Sequence, residues 1–276
     1  MAVGINGRSG VWLDSVGLIC GALKLAPGSS GNSENTGTTS SALTLPPKLI
    51  VSNDFNNDGR GDILWHNAAT GESQIWFMNG SSRIGRATIL DGARPTLIGP
   101  PWSIVGTNDF DGDGKTDLLW HNSSTGETQM WFMNGYRVGG RATVLGENGS
   151  AAFVGLPWSI VGTNDFNADG KTDLLWHNAA TGESQIWFMN GYRVSGRATV
   201  LGENGRAAFV GLPWSIVGTN DFNQDGKADI LWHNSSTGET QIWFMNGRSI
   251  VRRATVDAVR DGGGAMVGPP WSIMNH

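Results

Sequence analysis

The feature that most constrains this chain is one stretch of sequence that occurs four times. It spans residues 53–80 and returns at 108–135, 164–191 and 220–247, so the copies recur about every 56 residues. A unit of this kind cannot bury its apolar face alone and must stack against its neighbours. The chain is therefore predicted to be a repeat protein, with 47–276 as its repeat domain.

Each unit contains short runs of alternating apolar and polar residues, separated by turn-forming residues. In the third unit the predicted strands are 158–162, 173–178, 184–190 and 197–201. Gly182 suits a left-handed position in the turn between the second and third strands. Four strands in a unit of this length predict an all-β fold, a β-propeller of four-stranded antiparallel blades. Helical periodicity is missing, which argues against helical repeats.

The segments outside the repeats are predicted separately. Residues 26–46 are rich in Gly, Ser, Thr and Asn, which indicates a flexible linker, and 1–25 then form a short β element. Near the end of the chain, 271–273 copy the opening strand of a blade, although 49–52 already supply one for the first blade. This surplus strand could close the ring or pair with another chain, so we expect a possible homo-oligomer.

Every unit carries side-chain oxygens at positions 1, 3, 5 and 9 of an Asp-rich loop, and Gly at position 6. A loop that wraps a Ca²⁺ ion presents alternate side chains inward and adds a backbone carbonyl at position 7. We expect about one Ca²⁺ per repeat, four in all. The predicted ligands are Asp54, Asn56, Asp58, Arg60 and Asp62; Asp109, Asp111, Asp113, Lys115 and Asp117; Asp165, Asn167, Asp169, Lys171 and Asp173; and Asp221, Asn223, Asp225, Lys227 and Asp229, with the Arg and Lys residues contributing carbonyls.

Two alternatives to calcium remain open at this point. The loops could be Asp/Asn turns without metal, although four recurrences at fixed spacing argue against this interpretation. Mg²⁺ fits less well, because it keeps several waters rather than entering an all-protein cage.

These loops resemble the calcium loops of FG-GAP (VCBS) repeats, which build the propellers of integrin α-subunits and of fungal lectins of the Psathyrella velutina type. The resemblance covers all four units and implies a Ca²⁺ site in each. Those families usually have seven blades, whereas four repeats are present here. Residues 7–10 and 12–17 also resemble the last strands of jacalin-like lectin domains.

The second and third strands of each unit repeat Trp-His-Asn and Gln-X-Trp. The Trp residues could pack between sheets, which is the favoured interpretation because buried aromatics dominate core energetics, or could contact a ligand. The His residues could likewise be buried hydrogen-bonding partners or ligand contacts. Aromatic faces beside amide and imidazole groups also suit sugar rings, and the lectin resemblance implies glycan sites between blades. The candidates are Trp65, His66, Asn67, Gln74, Trp76, Trp120, His121, Asn122, Gln129, Trp131, Trp176, His177, Asn178, Gln185, Trp187, Trp232, His233, Asn234, Gln241 and Trp243.

Composition excludes several other functions. The formal charge of −5 argues against a nucleic-acid binder, and no apolar run is long enough for membrane insertion. Cys20, the single cysteine, rules out an internal disulfide. No catalytic signature is present, and nearly every polar candidate recurs four times, so we expect no enzyme.

The sequence thus predicts a calcium-binding, multivalent, lectin-like propeller whose partners are glycans or glycoproteins. The alternative is a calcium-stabilised propeller that binds proteins in a structural or adhesive role. Extracellular Ca²⁺ concentrations would fill modest sites, which favours an extracellular or cell-surface location, although no signal peptide is visible.

Overall fold

A computed structural model describes residues 53–256, and this part of the chain is built from strands and loops without a helix. The strands are β1 Ile63–Asn67, β2 Glu72–Asn79, β3 Ser82–Thr88, β4 Leu90–Asp91, β5 Arg94–Pro95, β6 Trp102–Asn108, β7 Asp117–Asn122, β8 Thr128–Asn134, β9 Arg137–Thr143, β10 Trp158–Asn164, β11 Asp173–Asn178, β12 Ser184–Asn190, β13 Arg193–Thr199, β14 Trp214–Asn220, β15 Asp229–Asn234, β16 Thr240–Asn246 and β17 Ser249–Thr255.

The strands form four sheets that are the blades of a β-propeller, which confirms the predicted fold. Blade 3 has the order β10-β11-β12-β13 and blade 4 the order β14-β15-β16-β17, with antiparallel neighbours throughout. Blade 2 contains β6 to β9 and is extended by β4 and β5, while blade 1 shows β1-β2-β3. The second and third strands of the third unit occupy exactly the predicted ranges 173–178 and 184–190.

Local sequence explains the tight turn between the second and third strands of each blade. Gly182 has a φ of +76°, as predicted for a left-handed turn position. A β-carbon at this glycine would lie 2.8 Å from the carbonyl carbon of Val210, so a side chain is also excluded by contact. The predicted fourth strand at 197–201 differs from the structure, in which β13 begins earlier, at Arg193.

Adjacent blades are joined at their outer edges by short parallel pairings. Strand β4, which follows blade 1, pairs with β9, the outermost strand of blade 2. Leu145 pairs in the same way with Arg193, and Leu201 with Ser249. The connection after each blade therefore fixes the position of the next.

The hydrophobic core lies between the blades rather than within one sheet. One cluster joins Phe110 and Met130 of blade 2 to Trp176 and Trp187 of blade 3. Two equivalent clusters lie between blades 1 and 2 and between blades 3 and 4. Both faces of each inner sheet are buried in this way, which explains the apolar runs of the second strands.

Several predicted features lie outside the described residues. They are the β element at 1–25, the linker at 26–46, the first strand of blade 1 at 49–52 and the copied strand at 271–273. Between residues 53 and 256 there is no helix of the length and hydrophobicity that crossing a bilayer requires.

Candidate functional site

The Asp-rich loops connect the first strand of each blade to the second, at one end of the sheet. In blade 2 the loop runs from the end of β6 to Asp117, the first residue of β7. Gly114, at the sixth loop position, has a φ of +84°, and Gly112, at the fourth, has a φ of +82°. Two left-handed residues bend the backbone tightly. The glycine at position 6 was expected from the sequence, whereas the one at position 4 was not.

The loop carboxylates are held by backbone amides of the same loop. Asp109 accepts hydrogen bonds from the N–H groups of Gly112 and Gly114, at 2.7 and 2.8 Å. The N–H of Lys115 donates to Asp113, whose other oxygen lies 2.6 Å from Lys115 Nζ. These bonds fix the carboxylates inside the bend, with further lone pairs available.

The ninth loop position is a buried carboxylate in all four blades. Asp117 accepts hydrogen bonds from the N–H of Phe110 at 2.9 Å and from that of Met133 at 2.7 Å. Burial raises the pKa of this carboxyl from 3.8 to about 7, opposed by the two hydrogen bonds and reinforced by Asp111 and Asp109. The same cause raises the pKa of Asp173 to about 7 and that of Asp62 to about 6.

Carboxylate oxygens of Asp109, Asp111 and Asp117 lie within 4.8 Å of one another. Such proximity without a cation is electrostatically unfavourable, and a divalent ion would offset it. The third position is Asn in the other three loops, at Asn56, Asn167 and Asn223, and an amide oxygen is also a Ca²⁺ ligand. The donor set therefore fits a hard cation.

The Trp residues of the second strands lie in the core between blades. The side chains of Trp120, Trp176 and Trp232 are each 1% exposed, whereas Trp65 of blade 1 is 51% exposed. Each buried indole meets a histidine of the preceding blade edge-on, as in His66 and Trp120, whose ring centroids are 5.4 Å apart. Packing between sheets thus accounts for the burial.

The histidines also have partners within their own blade. His121 Nδ1 lies 2.9 Å from Thr128 Oγ1, and its pKa is lowered by burial. Equivalent pairs join the other three histidines to the third strand of their own blade: His66 to Ser73, His177 to Ser184 and His233 to Thr240.

The Asn and Gln candidates are engaged in local hydrogen bonds. Asn122 Oδ1 accepts from the N–H groups of Ser124 and Thr125, which caps the turn after β7. Gln129 Nε2 donates to Glu127, and Gln129 Oε1 accepts from Trp131 Nε1 at 3.3 Å. The Asn residues therefore shape the turn, while Gln129 also borders a cavity.

A cavity of about 380 Å³ lies at the junction of blades 1 and 2. It brings together Trp120, Gln129 and Trp131 from the predicted glycan set, but neither His121 nor Asn122. Its other lining residues, which the sequence analysis did not identify, are Leu97, Ile98, Gly99, Trp102 and Arg141.

Among these residues, Arg141 makes a contact that recurs in the next two blades. Its guanidinium stacks on the ring of Trp131 at 4.0 Å, and Arg197 and Arg253 stack in the same way on Trp187 and Trp243. The signal was present in the sequence, since Arg-Ala-Thr recurs in every unit. The Nε1 of Trp120 is buried and has no hydrogen-bond partner among residues 53–256.

Comparison with known proteins agrees with this architecture. The family described as FG-GAP-like repeat matches residues 54–120, 109–176 and 165–232. The chain belongs to the FG-GAP-like repeat family. Each match runs from an Asp-rich loop to the second strand of the next blade, and so spans two of the Asp-rich loops described above. No curated protein matches the chain.

Three solved structures match parts of this FG-GAP-like chain. They are the Photorhabdus luminescens Tc holotoxin pore, a protein of unknown function from Bacteroides caccae, and a nidogen/laminin complex, at 13%, 12% and 14% identity and a TM-score of 0.38 each. The matches cover 75%, 69% and 70% of this chain. They cover only 12%, 56% and 58% of the matched chains, so this chain spans less than two thirds of each.

Proposed function

We propose that this FG-GAP-like propeller binds calcium in its Asp-rich loops and glycans in the clefts between adjacent blades, with no catalytic role. The observation that carries the glycan assignment is the cavity at the first junction, whose lining combines Trp102, Trp120 and Trp131 with Gln129 and Arg141. Its volume of about 380 Å³ lies within the range of small-molecule sites.

The chemistry of this lining suits a sugar ring. The indole of Trp102, which is partly exposed, would cover the apolar face of a pyranose, and the amide of Gln129 and the guanidinium of Arg141 would hydrogen-bond its hydroxyls. Because the same residue types recur at the next two junctions, weak single sites would be multiplied by avidity.

Calcium would stabilise the scaffold that forms these clefts. Asp109, Asp111, Asp113 and Asp117, with the carbonyl of Lys115, would hold the ion in blade 2, and the equivalent residues would hold it in the other blades. The ion would neutralise carboxylates that burial disfavours, and binding to the folded state alone raises stability by linkage. Extracellular calcium levels would fill such sites, so we propose an extracellular or cell-surface location.

A glycan array tests this function when it is run in millimolar Ca²⁺ and in chelator. The expected result is binding to a coherent set of glycans that is lost in chelator. A double variant, Gln129→Ala with Arg141→Ala, should weaken binding, while the exposed Arg248→Ala serves as a control for charge. An array without any binding would refute the glycan assignment. A melting temperature that is the same in Ca²⁺ and in chelator would refute the calcium assignment.

A second candidate function is protein binding by the same calcium-stabilised scaffold. Large apolar side chains are exposed in the loops before β10 and β14, with Phe153 and Phe209 each 59% exposed and Leu156 and Leu212 more so. Repeated exposed apolar residues of this kind mark interaction surfaces. An empty array together with calcium-dependent melting would favour this candidate.

A further inference from the structure

The three arginines that stack on tryptophan at the blade junctions differ in what surrounds them. At the first junction, Asp91 Oδ2 lies 2.9 Å from Arg141 Nη2 and forms a salt bridge with it. The residues equivalent to Asp91 in the next two connections are Gly146 and Gly202. The second and third junctions therefore lack this carboxylate, and the nearest side-chain oxygens to a β-carbon at Gly146 and Gly202 are the neutral amide oxygens of Asn148 at 3.4 Å and Asn204 at 3.3 Å.

Geometry confirms that these glycines lie against the corresponding guanidinium groups. A β-carbon on Gly146 would be 3.3 Å from Arg197 Nη2, and one on Gly202 would be 3.7 Å from Arg253 Nη2. Among residues 53–256, no carboxylate lies within salt-bridge distance of Arg197 or Arg253, including Glu147 and Glu203, which follow these glycines.

The two arginines stack on tryptophan at distances close to that of the paired one. Arg197 stacks at 4.0 Å on Trp187, as Arg141 does on Trp131, and Arg253 stacks at 4.4 Å on Trp243. Stacking fixes the planar guanidinium, so less conformational entropy is lost when its N–H groups bind an oxyanion. Asp91 therefore indicates where an external anion would bind at the other two junctions.

We propose that Arg197 and Arg253 each bind the negatively charged group of an acidic glycan, a carboxylate or a sulfate, at the second and third junctions. The first junction takes neutral sugars, because Asp91 already occupies Arg141. This inference rests on the proposed glycan-binding function and divides its sites into two classes. Glu183, the carboxylate just before β12, accepts hydrogen bonds from Gln185 and Thr199. Arg197 and Arg253 are themselves exposed.

The test uses three matched trisaccharides that end in glucose, glucuronate or glucose 6-sulfate, titrated calorimetrically into the full chain in Ca²⁺. We expect one of the charged probes to bind at least about tenfold more tightly than the neutral one, at two sites per chain, since charge-assisted hydrogen bonds are stronger than neutral ones. The tighter of the two identifies the anion.

Variants decide whether the arginines are responsible. Arg197→Gln with Arg253→Gln should abolish the preference for charge and retain neutral binding. The control is Arg248→Gln with Arg252→Gln, which removes the same charge; Arg252 adjoins Arg253 but stacks on Phe244 instead. Asp91→Asn should free Arg141 and raise the number of charged-probe sites from two to three.

The outcomes separate this proposal from the proposed function. Equal binding of neutral and charged probes, or a preference that survives Arg197→Gln with Arg253→Gln, overturns the acidic-glycan assignment alone. An absence of binding by all three probes also overturns the acidic-glycan assignment, whereas only a glycan array without binding overturns the glycan-binding function itself. Circular dichroism of each variant confirms that a lost preference does not reflect unfolding.

Discussion

The methyl carbon Cγ2 of Thr163 lies 2.7 Å from the point that a β-carbon on Gly106 would occupy. The same relationship links Gly162 to Thr219 at 2.5 Å, so the first strands of consecutive blades, β6, β10 and β14, approach each other at a glycine. Real β-carbons essentially never lie closer than 3.0 Å to another heavy atom. The spacing between blades therefore depends on these positions having no side chain.

Gly162→Ala should lower the free energy of unfolding by about 1–3 kcal/mol, because the added methyl group forces β10 and β14 apart. Gly196→Ala is the matched control, since a β-carbon there meets its nearest neighbour, Phe188 Cδ2, at 3.9 Å. Urea unfolding of both variants measures the difference. Equal effects would show that the blade spacing tolerates a side chain.

Two tryptophans at equivalent positions should differ strongly in their contribution to stability. Trp120→Ala should cost about 3–5 kcal/mol of unfolding free energy, because its 1% exposed indole fills the core between blades. Trp65→Ala should cost about 1 kcal/mol, since half of that side chain already contacts solvent. Denaturant midpoints test this, and a Trp65 variant as unstable as the Trp120 variant would mean that the indole is covered.

The sequence predicts the strands well, because alternation and turn residues act locally. Strands β11 and β12 occupy the predicted ranges, and Gly182 adopts the predicted turn conformation. The difference between Trp65 and Trp120 could not be predicted, because their sequence contexts are nearly the same. Trp120 packs against Phe55 and Ile75 of blade 1, and among residues 53–256 no blade precedes blade 1 to cover Trp65. The stacking of Arg197 on Trp187 depends on the register between β12 and β13. The predicted fourth strand began at residue 197, whereas β13 begins at Arg193, so this register could not be predicted.

The fourth position of the Asp-rich loop offers a test of backbone strain. Ala168 has a φ of +60° there, while Gly112 occupies the same position in blade 2. This conformation costs a non-glycine residue about 1–2 kcal/mol. Glycine avoids that cost, but its greater freedom in the unfolded chain offsets part of the stabilisation.

Ala168→Gly should therefore raise the free energy of unfolding by about 0.5–1 kcal/mol, and Gly112→Ala should lower it by a similar amount. Ala179→Gly, in an exposed turn without positive φ, provides the control and should not stabilise. Thermal melts in chelator measure all three. A neutral Ala168→Gly variant would indicate that the loop relaxes to accommodate the alanine.

Calcium affinity should depend on pH through the ninth-position carboxylates. Protons and Ca²⁺ compete for the same oxygens, so binding requires the ionised form. Burial raises the pKa of Asp117 to about 7, hence its carboxyl is mostly protonated at pH 6 and mostly ionised at pH 8. The blade 2 site should bind Ca²⁺ about tenfold more weakly at pH 6 than at pH 8.

The blade 1 site should change less, by about twofold, because the pKa of Asp62 is raised only to about 6. In chelator the same carboxylates affect the stability of the fold instead of calcium affinity, and raising the pH lowers that stability. A carboxyl whose pKa is raised in the folded state stabilises the fold at low pH, and this contribution is lost as the pH rises from about 4 through about 7. The rise in melting temperature that Ca²⁺ produces over chelator should therefore be larger at pH 8 than at pH 6, and equal rises at the two pH values would exclude these carboxylates as calcium ligands.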